Sequence, residues 1–211
     1  MIKKITVTEA LKELKLYDAK INKSIETGAY VGAAKVNSDK IGHKTKENFV
    51  SDSKSDYQSV IDLIKNRAKI KSAIVKSNAE TTLEINGVKM TRAEAIERKS
   101  SIEYDKKLLN ELKSQFYKAT VAMEKENKKV DQQCEAIALT AAGKDSDKKV
   151  KGEEIESVTE TIRRLNEFGL VDPLGIEKVI NDLEAEIDGF ESEVDVRLNL
   201  SNATTFIEVD M

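Results

Sequence analysis

Residues 77–98 read SNAETTLEINGVKMTRAEAIER, and this stretch decides the fold. Asn86-Gly87 sits between two short β-prone runs, TTLEI and VKMT. That dipeptide tolerates positive φ at both central positions of a type I′ turn, so a β-hairpin is predicted over about 81–91. Thr91 and Glu94 stand three residues apart, the spacing of a capping box, and predict a helix opening there. Upstream, Ser77-Asn78-Ala79 closes a helical pattern, and Asn78 is the expected left-handed cap. The same tripeptide recurs at Ser201-Asn202-Ala203, again followed by a β-prone run, TTFIEV. A lone hairpin is marginal in water, so the C-terminal strand, about 204–209, is expected to pair with the hairpin as a third strand.

Long helices fill the rest of the chain. The first is expected from near Thr8 to Gly28 on Val7, Leu11, Leu14, Tyr17, Ile21 and Ile25. Residues 29–36 (AYVGAAKV) suit an extended strand or a loop, and 37–48 are turn-rich. A second helix, roughly Glu47 to Ser77, carries Tyr57, Val60, Ile61, Ile64, Ala68, Lys71, Ile74 and Val75. The third has neither Gly nor Pro between Thr91 and Gly143 and places Ile102, Leu109, Leu112, Phe116, Met123, Val130 and Ile137 at heptad-like spacing. Unbroken, its roughly 50 residues would span about 75 Å. A charged loop at 143–152 leads to a shorter helix at about 153–168. Asp172-Pro173 is expected to start a fifth helix on Ile176, Ile180, Leu183, Ile187, Phe190 and Val194. The fold class is therefore mainly α: one elongated domain over 1–211, an antiparallel helical bundle or coiled coil with the small β element at one end.

Composition agrees. Charged residues make up 35% and aromatics 5% of the 211 residues, with one Pro and no Trp, which suits narrow aliphatic stripes on helices. A net charge of −3 gives no overall nucleic-acid-binding excess. A single cysteine permits no internal disulfide and fits a reducing compartment. With no apolar run near membrane-spanning length and no apolar signal region at the N-terminus, the expected location is the cytoplasm.

Three segments carry a family resemblance: TEALKELKLYDAKI at 8–21, IDLIKNRAKIKSAIVKSNAETTLEINGVKMTRAEAIERK at 61–99, and EIDGFESEVDVRLNLSNATTFIEV at 186–209. Together they resemble the septicolysin-like family of small helical bacterial and phage proteins. The resemblance covers about half the chain and nothing between roughly 115 and 175. It implies antiparallel helices with a small β element and homo-oligomerisation, and it brings no catalytic activity. It also suggests a phage origin, and hence a host cytoplasm.

Candidate chemistry is sparse. His43 is the single histidine and reads as a solvated loop residue, and Cys134 reads as a packing thiol beside the helix-three stripe. Asp145, Asp147, Glu153 and Glu156 have EF-hand length, but Val150 stands where Gly is needed and Lys148 and Lys149 oppose a cation, so calcium binding is rejected. No Gly-rich phosphate loop, HExxH or GxSxG occurs; no enzyme, metal or cofactor is expected. One constellation stands out. Lys65, Arg67, Lys69, Lys71 and Lys76 lie between Leu63 and Ala79 without an acid, and Arg92 and Arg98 follow the hairpin. Arg67, Lys71, Asn78, Arg92, Arg98 and Tyr104 are the candidate ligand-binding residues, because guanidinium groups take phosphates by paired hydrogen bonds. The competing reading is a solvated face, or a face lying against the acidic fifth helix.

Two functions follow as expectations. The first is a non-catalytic homo-oligomer that sequesters a small phosphorylated, nucleotide-derived ligand such as a host immune signal, an anti-defence sponge. The alternative is a structural or protein-interaction component of a virion or its assembly. Neither nucleic acid nor membrane is expected as a partner.

Overall fold

The computed structural model describes residues 2–143 and 152–210. Its elements are β1 (Ile2–Thr6), α1 (Val7–Thr27), β2 (Lys40–Ile41), β3 (Lys44–Thr45), α2 (Lys46–Glu80), β4 (Thr82–Ile85), β5 (Val88–Thr91), α3 (Arg92–Gly143), α4 (Gly152–Asn166), α5 (Ile176–Thr204) and β6 (Phe206–Asp210). The protein is mainly α, and among the described residues there are three small two-stranded antiparallel sheets, β1–β6, β2–β3 and β4–β5. It divides into two compact units, one of residues 1–100 with 189–211 and one of residues 101–188.

In the first unit, Thr6 caps α1. Its hydroxyl accepts from the Glu9 amide at 3.2 Å, and the Glu9 carboxylate accepts from the Thr6 amide at 2.8 Å. The helix buries Val7, Ala10, Leu14 and Ile21, one face at three-, four- and seven-residue spacing. It ends at Gly28, whose backbone is extended rather than left-handed. A Cβ there would stand 2.3 Å from the Tyr30 ring and displace it; the ring folds back over Gly28 so that its hydroxyl donates to the Ser24 carbonyl at 2.9 Å.

The Asn86-Gly87 turn forms as expected, with φ of 49° and 74°. Thr91 and Glu94 complete the capping box of α3. The partner of the C-terminal strand is different from the expected one. β6 pairs with β1, from Thr6↔Phe206 to Ile2↔Asp210, and the hairpin stays two-stranded. Packing explains the choice. Ile207 and Val209 alternate onto the face that Ile5 also fills, and these three join Val7, Ala10, Leu14, Ile70 and Ile74 in one buried cluster.

Other boundaries also differ from those the sequence predicts. Asn78 and Asn202 do not cap their helices; α2 runs on to Glu80 and α5 to Thr204. The chain leaves α2 through Thr81 in extended conformation, so no left-handed residue is required. α5 begins at Ile176, after Pro173 rather than at it. The Asp172 carboxylate reaches across the turn to the Leu174 and Ile176 amides at 3.2 and 2.7 Å. α2 buries Val60, Ile70, Ile74 and Ser77, while Tyr57, Ile64 and Val75 of the expected stripe are exposed.

In the second unit, α3 buries Ile102, Leu109, Val130 and Cys134, and the Cys134 thiol lies 3.5 Å from the Thr159 carbonyl of α4. Arg163 bonds Asp131, and Lys113 bonds Glu184 at 2.6 Å. The Asn127 amide grips the backbone of Phe168 from both sides, donating to its carbonyl at 2.9 Å and accepting from its amide at 2.8 Å. Residues 145–151 of the rejected EF-hand segment lie outside the described residues.

Candidate functional site

Two parts of the first unit are equivalent, residue for residue. In one, α2 leads through Thr81 into β4, and β5 leads through the Thr91 cap into α3. In the other, α5 leads through Thr205 into β6, and β1 leads through the Thr6 cap into α1. Thr82 faces Thr91 in the first sheet, and Phe206 faces Thr6 in the second. The Thr81 amide donates to the Ser77 carbonyl, and the Thr205 amide to the Ser201 carbonyl, both at 2.9 Å. The Thr81 carbonyl accepts from the first amide of α3, Arg92, at 2.8 Å, and the Thr205 carbonyl accepts from the first amide of α1, Val7, at 3.0 Å. The repeated Ser-Asn-Ala and Thr-x-x-Glu-Ala sequences are the written form of this equivalence.

The side chains differ most at the first helical position. Where one copy has Val7, 1% exposed, the other has Arg92, 0% exposed. The Arg92 Nε and Nη2 donate to the Ser201 hydroxyl at 3.2 and 2.6 Å. Nη1 donates to the Ser77 hydroxyl and the Asn78 carbonyl oxygen at 3.3 and 3.2 Å, and Nη2 also reaches the Thr205 hydroxyl at 2.8 Å. Every partner is a neutral oxygen. Among the described residues no carboxylate pairs with this buried cation, and burial pushes the guanidinium below its usual value. Arginine still holds its proton, because its ordinary value lies so far above neutrality. What compensates the cation is this ring of neutral oxygens, which the Ser201 carbonyl joins at 3.5 Å from Nη2. α2 and α5 both end here, while α3 opens at Arg92 and α1 at Val7, so the opposite partial charges of helix ends and helix starts offset one another. Neither α2 nor α5 has a basic residue in its own last turn, and Arg92 joins the two ends by hydrogen bonds.

The other candidate residues lie elsewhere. Arg67 donates to both Asp18 oxygens, a pairing that holds the Asp18 carboxyl below the usual carboxylate range and raises the arginine. Lys71 is exposed on α2. Arg98 lies 5.9 Å from the centre of the Phe190 ring. Tyr104 belongs to the second unit and is exposed, with the Lys107 amine 5.8 Å from its ring centre. Of the six, Arg92 and Asn78 are brought together, and their bonds point into protein. A cleft of about 310 Å³ adjoins them, lined by Lys76, Ser77, Glu80, Thr205 and Glu208 among others. Its two carboxylates outnumber the lysine, the wrong balance for an anion. Ser77, Ser201 and Thr205 complete the site without being candidates by residue type; the repeated Ser-Asn-Ala tripeptide is the sequence signal that marks the two serines.

His43 lies exposed in the β2–β3 turn. Among the described residues no group of three or more His, Cys, Asp or Glu is placed to hold a metal ion, and no helix is long and apolar enough to cross a membrane. Compared with known proteins, the chain matches no family model, no curated protein and no solved structure.

Proposed function

We propose that this chain is a non-catalytic interaction protein, a structural or assembly component that works by presenting apolar surface to other protein chains. The observation that supports this reading is the segment between α4 and α5. Phe168, Leu170, Val171 and Leu174 are all exposed there, Val171 at 97%. The segment is nevertheless held: Asn127 fixes the backbone of Phe168, and Asp172 fixes that of Leu174 and Ile176. Four large apolar side chains are thus exposed on a segment held at both ends, so part of the ordering cost is met before a partner arrives. The septicolysin-like resemblance, with its implied homo-oligomer and phage origin, is in keeping with such a role.

The test is a photo-crosslinking side chain at position 171 in the producing cell. Discrete protein adducts, lost when Leu170 and Leu174 are both changed to Asp, are the expected result. An absence of protein adducts would overturn the reading.

A second reading, sequestration of a small nucleotide-derived anion by an oligomer, draws support from Lys65, Lys69 and Lys71, which pair with no carboxylate among the described residues. It draws less support than the first because Arg67 is engaged by Asp18 and Arg92 is buried. Calorimetry against cyclic nucleotides and ADP-ribose derivatives separates the two: heat with one of them favours sequestration.

A further inference from the structure

The α2 helix carries two apolar faces. One, on Val60, Ile70 and Ile74, is buried in the first unit. The other runs through Tyr57, Ile61, Ile64, Ala68 and Val75, at spacings of four, three, four and seven, and reaches solvent: Tyr57 is 59% exposed, Ile64 42% and Val75 54%. That spacing is the seam of a coiled coil, about 27 Å long, which matches the groove of another helix. Lys65, Lys69 and Lys76 flank the seam on one side, in a row with a single acid, Asp62, whose carboxylate accepts from the Gln58 amide at 2.9 Å. Lys65 and Lys69 meet no carboxylate among the described residues, and Lys76 has only Glu80 at 4.0 Å.

We propose that this face of α2 docks an acidic amphipathic helix of a partner protein. The inference rests on the interaction-protein reading and names the chemistry of one partner. Charge selects the occupant. A second copy fits poorly: an antiparallel α2 centred between Ile61 and Ile64 sets Lys54 opposite Lys71, and a parallel one sets every lysine beside its twin. A membrane surface fits poorly too, since the seam is narrow, includes Ala68, is interrupted by Lys71 and has one aromatic residue. An acidic helix satisfies both the seam and the unpaired lysines.

The experiment uses the full chain and two synthetic helices of about four heptads, identical in their apolar seam, one flanked by Glu and one by Lys. Fluorescence anisotropy should show the Glu-flanked helix binding, more weakly as salt rises, and at least about tenfold more tightly than the Lys-flanked one. Ile64→Asp should abolish binding. The triple change Lys65→Glu, Lys69→Glu, Lys76→Glu should reverse the preference, and because these positions are exposed, circular dichroism should be unchanged for all variants. Equal binding of the two helices, no binding, or binding indifferent to Ile64→Asp would overturn the proposal. So would an Ile64-dependent dimer in sedimentation, or Ile64-dependent binding to anionic phosphatidylserine vesicles. Adducts at position 171 without any of this would leave the interaction reading standing and remove only the α2 site.

Discussion

Arg92 has no carboxylate for company, and its hydrogen bonds to two serines, a threonine and an asparagine show why it can be buried. Oxygens from the ends of two helices converge on one guanidinium and take the place of a side-chain anion. Arg92→Met removes the cation and strands the oxygens it served. The expected cost is about 3 kcal/mol in urea unfolding, and an unchanged midpoint would refute the assignment. Arg92→Lys keeps the charge but cannot span both serines, so its loss should be smaller than that of Arg92→Met.

A pH dependence also belongs to single residues. The Thr6 and Thr91 backbone amides hold the Glu9 and Glu94 carboxyls below their ordinary 4.5, and Arg67 holds Asp18 below 3.8. Depressed carboxylates stabilise the fold above the ordinary value and release that stability as pH falls through the depressed one. Stability measured by urea unfolding should therefore hold from neutrality down to about pH 4.5 and decline below it. The Glu9→Gln, Glu94→Gln double variant should decline less steeply; an identical slope would contradict the caps' share.

At the scale of elements, the equivalence of the two helix starts makes a paired prediction. Thr6→Ala and Thr91→Ala should each cost about 1 kcal/mol, nearly equally, in thermal or urea unfolding. Gly87→Val, at φ of 74°, should cost at least as much, because a β-branched residue is strained there.

These same elements mark what could be read from sequence. The hairpin and the Thr91 cap were legible because Asn-Gly and Thr-x-x-Glu act within four residues of chain. The pairing of β1 with β6 was not, because IKKIT carries two lysines on a short run and its partner lies some 200 residues away. Nothing local in a strand names a distant neighbour. The α2 stripe misled for a different reason: both its faces are apolar, and periodicity alone cannot say which one the chain itself covers. The candidate site was legible in composition only. Sequence grouped Arg67, from the basic run of helix two, with Arg92, beyond the hairpin, as anion-binding candidates, while the fold paired one with Asp18 and buried the other.

For the whole molecule, the central claim is that the first unit consists of two equivalent helix–strand, strand–helix parts clamped by a single buried arginine. Its parts are far apart in sequence, so the clamp must couple them. Amide hydrogen exchange on the folded Arg92→Lys variant tests this most directly. Faster exchange is predicted at Thr81 and Arg92→Lys itself and, equally, at Val7 and Thr205, whose amides close the other copy. Acceleration confined to residues 77–92, with Val7 and Thr205 as protected as before, would contradict it.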